Sequence, residues 1–237
     1  MSVLEQLLSI QEHDTALEQM RHRRDHLPER AELASIDERD LDLGRRRAEV
    51  EARRDELTKE QRRHEDEVAS IEAKITEVDG QLYGGKVTSP RELQALQDEI
   101  GALRRRADDI ETTLLEVLTA LEPVEETIES VDAEAAALAT DREVVTVRLS
   151  AAEASVEAEI VAEEAARQSA AEGVPADQLD EYESIRARQG GIAVARLVGS
   201  SCGACHLMLS AVDLDRIRKL PADQPGICEE CGRMLVH

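Results

Sequence analysis

The chain has 237 residues, 41% of them hydrophobic and 34% charged, and Tyr83 and Tyr182 stand alone in a sequence without Phe or Trp. Lacking the side chains that bury the most area, it does not suit a large globular core, and a compact enzyme of ordinary shape is not expected. Its formal charge of -23 disfavours binding nucleic acid along its whole length, because such affinity comes largely from neutralised phosphates.

The first residues, Met1 to Glu5, show no basic segment followed by an apolar run, so no signal peptide is expected. No stretch approaches the ~18 apolar residues of a membrane span. Leu4, Leu7, Leu17, Met20 and Leu27 suggest a first helical phase, which Pro28 should break or kink. Ile36, Leu43, Val50, Leu57, His64, Ile71 and Val78 then keep a seven-residue stride with one polar member. Their companions from 39 to 61 are mostly charged or amide residues, which predicts a narrow, wet seam and leaves His64 partly solvated.

Gly84 and Gly85 end this arm, and Ser89, Pro90 and Glu92 fit N-cap, N1 and N3 of a new helix. The segment is no phosphate loop, since it joins two helices instead of a strand and a helix. From Leu93 to Val156, steps of three and four residues meet apolar side chains at eighteen of nineteen positions, Arg142 being the exception. Such a stripe needs another helix to cover it. Folding the chain about Gly84–Gly85 pairs residue i with roughly residue 169-i, which favours an intramolecular antiparallel hairpin, with Pro123 kinking its second arm. Gly173 and Pro175 stop that arm. Leu179, Tyr182 and Ile185 share one face of a short helix ending at Gly190–Gly191, and residues 192–198 read as a strand.

Charge is unevenly spread. Residues 107–187 hold 22 acidic against 4 basic side chains, which reads as a solvated helix face. Arginine clusters at 45–47, 53–54, 62–63 and 104–106 are expected to form cross-arm ion pairs, with 45–63 facing 106–124. RNA binding is the other reading of these clusters.

All four cysteines fall in two C-x-x-C pairs, Cys202 with Cys205 and Cys228 with Cys231, so none is left for a disulfide framework and a cytoplasmic protein is expected. Each pair suits a tight knuckle presenting two sulfurs to a tetrahedral ion, and two knuckles complete a four-cysteine set for one structural Zn2+. Gly203 and Gly232 suit the sharp backbone. Ser210 can cap a helix running to Leu220, and residues 233–236 supply a closing strand. Four thiolates leave no open position for substrate or activated water. A redox dithiol pair is the alternative. His206, directly after Cys205, and His237, the last residue, are further ligand types, but four cysteines already suffice. No H-x-E motif accompanies the pairs, against a zinc deaminase.

With these motifs in hand, the sequence resembles a bacterial family of coiled-coil proteins with a C-terminal C4-type zinc ribbon. The resemblance rests on the hairpin segment from Leu82 to Leu93, on Gly203-Ala204-Cys205-His206, and on the run from Cys228 to Leu235. It implies a mainly α fold: a long antiparallel coiled-coil helical hairpin plus a small C-terminal zinc-ribbon domain. The boundaries expected are 1–173 for the hairpin (arms about 2–80 and 90–172, tip 81–89), 174–191 for a linking helix and 192–237 for the ribbon. It also implies Cys202, Cys205, Cys228 and Cys231 as zinc ligands, and a role as an adaptor or regulator.

Function then reads as a non-enzymatic adaptor that engages macromolecular partners, with neither a membrane nor a small-molecule substrate expected. Tyr83, Lys86 and Arg91 at the tip are candidate partner contacts. Arg216, Arg218 and Lys219 form a second, basic candidate surface. The alternative is a nucleic-acid-binding regulator using the ribbon and the Arg-rich first arm on RNA or DNA. The small number of charges and the absence of an aromatic platform weigh against it.

Overall fold

The computed structural model describes residues 2–85, 87–221 and 224–236. In chain order the elements are helices α1 (Val3–Asp25), α2 (Pro28–Tyr83), α3 (Pro90–Ala171) and α4 (Ala176–Arg188), then β1 (Val194–Val198), β2 (Ser201–Cys202), α5 (Ala211–Arg218), β3 (Gly226–Ile227) and β4 (Met234–Val236). The protein is mainly helical, built on a long helical hairpin with a small C-terminal strand region. Met1–Glu32 together with Val145–His237 form one compact unit, and Leu33–Val144 the other.

Within Leu33–Val144, α2 and α3 meet along the seam expected from their apolar stride. Leu57 packs with Val117 and Leu121. Nearer the turn, Val78 and Leu82 pack with Ile100. Every position of the α3 stripe from Leu93 to Val156 is buried or half-buried, whereas the off-stripe Leu115, Leu118, Val144 and Val147 are exposed. Arg142, the polar member of the stripe, reaches Asp37 (2.6 Å) and Asp40 (3.6 Å) across the hairpin. The first arm is indeed wetter, with half-buried Arg47, Arg54, Gln61 and His64 at seam positions. Truncating a buried seam leucine leaves a cavity that rigid helices do not close. Leu57→Ala is therefore expected to cost about 2–4 kcal/mol, read as a lower midpoint in urea denaturation followed by helical circular dichroism.

Of the arginine clusters, Arg46, Arg47 and Arg106 form cross-arm pairs as expected, though in a different register, whereas Arg45, Arg53 and Arg54 pair with Asp42, Glu56 and Asp55 of their own helix. Arg47 donates to Asp132 at 2.6 Å and Arg46 to Glu134 at 3.2 Å. A fold centred on Gly84–Gly85 would have placed residues 122 and 123 there. Nearer the turn, Arg106 donates to Glu67 at 2.7 Å. Part of the offset arises because α2 runs through Tyr83 and α3 starts only at Pro90, which centres the reversal beyond the two glycines and matches the pairing of Arg106 with Glu67. Gly85 takes a φ of 70°, the left-handed conformation open to glycine.

Pro28 separates two helices. The backbone N–H of His26 closes α1 on the carbonyls of His22 and Arg23, and Pro28 opens α2 at a position where its missing N–H costs nothing. Pro123, by contrast, lies inside α3, which continues as helix through it.

The other unit gathers α1, the start of α2, the last part of α3, α4 and the strands. Leu17 and Leu27 pack against Val156 and Ile160. The sheet has the order β2-β1-β4-β3, with β1 and β4 parallel and both outer pairs antiparallel.

Candidate metal centre

Two knuckles of matching build carry the cysteines. In the first, His206 N–H donates to the Cys202 carbonyl at 2.9 Å, and Cys202 N–H to the Leu207 carbonyl at 3.0 Å. In the second, Gly232 N–H donates to the Cys228 carbonyl at 2.7 Å, and Cys228 N–H to the Arg233 carbonyl at 2.9 Å. The residue after the second cysteine is left-handed in both, with φ of 63° at His206 and 70° at Gly232. Gly232 meets this need without strain. His206 meets it as a non-glycine, its side chain exposed and apart from the four sulfurs, so it serves the turn and not the cluster. Gly203 answers a different need, since a Cβ there would sit 2.6 Å from the Arg196 carbonyl oxygen. His237 lies outside the described residues.

The four ligand sulfurs of Cys202, Cys205, Cys228 and Cys231 all lie within 4.8 Å of one another. Cys202 and Cys231, and likewise Cys205 and Cys228, approach to 3.9 Å. A disulfide needs about 2.05 Å between sulfurs. Around a tetrahedral ion with metal–sulfur bonds of ~2.3 Å, neighbouring sulfurs sit about 3.8 Å apart. The spacing therefore fits the edges of a metal tetrahedron, and the four cysteines could hold one ion. Cys202 and Cys228 are wholly buried, packed with Ala195, Leu209, Ile217 and Leu235.

Electrostatics set the thiols apart. Burial pushes the Cys228 thiol up to about 12 and also raises Cys202. Burial opposes ionisation of Cys231 too, but hydrogen bonds from the Arg233 backbone and side chain outweigh it and draw that thiol down to about 7. Arg233 also donates to the carbonyls of Ile192 (2.8 Å) and Gln189 (2.6 Å). It thus fastens the second knuckle to the segment leading into β1 and sets a positive charge beside sulfurs that must become thiolates to bind a metal.

α5 lies between the two knuckles in sequence. Ser210 caps it, accepting from Asp213 N–H at 3.1 Å, and Ile217 fills the space that Gly226 leaves without a Cβ. The basic side chains singled out on this helix are engaged. Arg216 pairs with Asp213 (3.2 Å) and Glu229 (2.9 Å), Lys219 with Asp215 (2.5 Å), and Arg218 donates to the Gly199 carbonyl (3.1 Å). The tip candidates belong to the other compact unit. Tyr83, the last residue of α2, is 76% exposed, and Arg91 is exposed in the first turn of α3. Lys86 lies outside the described residues.

A second polar constellation escaped the sequence reading. Asp14 on α1 is only 3% exposed, yet it accepts from the Tyr182 hydroxyl at 2.6 Å and faces Arg167 (3.2 Å) and Arg186 (3.4 Å). Arg167 and Arg186 also reach Glu183, and Arg186 reaches Glu18. One turn earlier, Gln11 accepts from Ala193 N–H at 2.6 Å and donates to the Gly191 carbonyl at 2.8 Å. A signal was present: Leu4, Leu7, Gln11, Asp14 and Leu17 continue one stripe, with polar residues in two buried places.

Residues 10–190 match the CT398-like coiled-coil hairpin domain family. The chain belongs to this family. The match ends before the first cysteine, so it carries the hairpin and not the metal centre. An uncharacterized protein of Mycobacterium tuberculosis is 28% identical over 98% of this chain and 94% of its own length. A solved structure from Mycobacterium smegmatis aligns over 100% of both chains with a TM-score of 0.88 at 22% identity. CT398 from Chlamydia trachomatis aligns over 99% of this chain and 97% of its own with a TM-score of 0.73 at 20% identity. At these identities the likeness to solved structures speaks for the fold alone. Among the described residues, no helix is long and apolar enough to cross a membrane.

Proposed function

We propose that the protein is a non-enzymatic, cytoplasmic adaptor in which one structural Zn2+, held by Cys202, Cys205, Cys228 and Cys231, organises a C-terminal ribbon, while the hairpin tip offers a separate docking surface. The observation that carries the metal part is the convergence of four cysteine sulfurs at tetrahedral spacing. Four thiolates suit Zn2+ and fill its coordination shell, so no position remains for a substrate or an activated water. The ion would supply folding energy, not chemistry.

The docking part rests on Tyr83, an exposed aromatic side chain in a chain with only two, and on Arg91, exposed in the first turn of α3. A protein partner is favoured over nucleic acid because several of the arginines a phosphate backbone would need already face carboxylates. Arg46 and Arg47 pair with Glu134 and Asp132, and Arg216 with Glu229. Metal analysis of the purified chain tests the first part, with one zinc per chain expected. For the second, tagged protein is used to capture partners from its own cell lysate, with and without nuclease. Protein partners should survive nuclease and be lost in the charge-reversed Lys86→Glu/Arg91→Glu variant at unchanged helicity. Partners that vanish with nuclease would instead support nucleic-acid binding.

A further inference from the structure

The strands flanking the cysteines divide their side chains between two cores. Val194, Met234 and Val236 join Leu4, Leu7, Leu8 and Ile10 of α1 with Tyr182 and Ile185 of α4. One position along, Ala195 and Leu235 join Cys202, Cys228, Leu209 and Ile217. Alternation along a strand puts these two sets on opposite faces of the sheet. β1 and β4 lie side by side, Val194 beside Met234 and Ala195 beside Leu235, so one layer of strand separates the cysteine cluster from α1.

Polar contacts bind the same layer to α1. The Gln11 carbonyl oxygen accepts from Ala193 N–H at 2.6 Å and approaches Val194 N–H at 3.4 Å, while its amide donates to the Gly191 carbonyl. α1 thereby satisfies backbone groups at the entry to β1, groups that would otherwise be buried without partners. Asp14 and Tyr182 close the next turn of the same contact.

We infer that metal binding at the cysteines and docking of α1 are thermodynamically linked through β1 and β4, so that loss of the ion releases α1 from the sheet. This rests on the zinc reading proposed above. β1 leads into the first knuckle and β4 leaves the second, and their pairing spans about forty residues of chain. Strands of five and three residues do not hold a parallel pair by themselves. The ion joins the two knuckles and so keeps the strands together. When they part, α1 loses the apolar cover of Val194, Met234 and Val236 and the backbone partners of Gln11. Linkage is reciprocal, so weakening the Gln11 contacts must weaken metal binding.

The test uses the full chain carrying Tyr83→Phe, which leaves Tyr182 as its one tyrosine in a sequence without Trp. Zinc content is measured before and after chelation under reducing conditions. Hydrogen exchange over residues 4–17 and acrylamide quenching of Tyr182 fluorescence are followed in both states. Removing zinc should speed exchange there about 5- to 150-fold, the usual span of coupling between sites, and open Tyr182 to the quencher. In Gln11→Ala, zinc affinity measured against a competing chelator should fall several-fold. Zinc that binds and leaves with no change in exchange or quenching overturns the linkage and leaves the zinc reading standing. Unchanged affinity in Gln11→Ala does the same. A chain that takes up no zinc overturns both.

Discussion

Cys228→Ser is expected to abolish metal binding and unfold the C-terminal sheet while the α2–α3 seam stays helical. Cys228 is wholly buried, so the serine hydroxyl replaces a soft thiolate in a place where it gains no water. Structural zinc contributes roughly 10–16 kcal/mol of apparent binding energy at neutral pH. That is as large as the whole stability of a typical domain, about 5–15 kcal/mol. The strands here hold five, two, two and three residues, and β2 and β3 have little to bury beyond the cysteines and their neighbours. The seam from Leu93 to Val145 draws on none of these contacts. Hydrogen exchange should therefore become fast across 194–236 and stay slow across 100–140, with most helical circular dichroism retained. A Cys228→Ser protein with protected strands would show that side-chain packing suffices without the ion.

The parts of this architecture legible in the sequence are those set by local periodicity and spacing. The α3 stripe could be read residue by residue because a coiled-coil seam repeats one interaction many times, and a polar member such as Arg142 stands out against it. The two knuckles were legible because two C-x-x-C pairs with adjoining glycines have few other uses. The register was missed by about ten residues at Arg46 and Arg47, in part because it depends on how many residues the turn consumes, which Gly84 and Gly85 mark only at one edge. The parallel pairing of β1 with β4 was not legible either, since short strands carry no pattern that names a distant neighbour. Gln11 and Asp14 are the instructive case. They occupy core positions of the Leu4–Leu17 stripe, but their partners Tyr182, Arg167 and Ala193 lie more than 150 residues away, and only the folded chain shows that they are satisfied.

That buried cluster sets up the second large effect. Asp14→Ala is expected to destabilise the unit containing α1, α4 and the sheet by about 3 kcal/mol, near the lower end of what breaking a buried charge pair costs. The loss has three parts: a hydroxyl acceptor for Tyr182, a countercharge for Arg167, and one for Arg186. Glu183 and Glu18 still face the two guanidiniums, which keeps the cost from rising further. Tyr182→Phe should cost less, about 1–2 kcal/mol, because Asp14 keeps both arginines when the hydroxyl goes. Burial first, then the hydrogen bond to Asp14, holds the Tyr182 phenol well above its ordinary range against the opposing charge of Arg186. The folded state thus favours the neutral phenol. Its contribution is complete below the unfolded value of about 10 and declines as the pH rises beyond it. Urea denaturation followed by Tyr182 fluorescence in the Tyr83→Phe background checks the ranking, and repeating it for that parent between pH 8 and 11 checks the slope. If Asp14→Ala proves as mild as Tyr182→Phe, the two arginines are held by Glu183 and Glu18, and Asp14 is only the partner of the phenol.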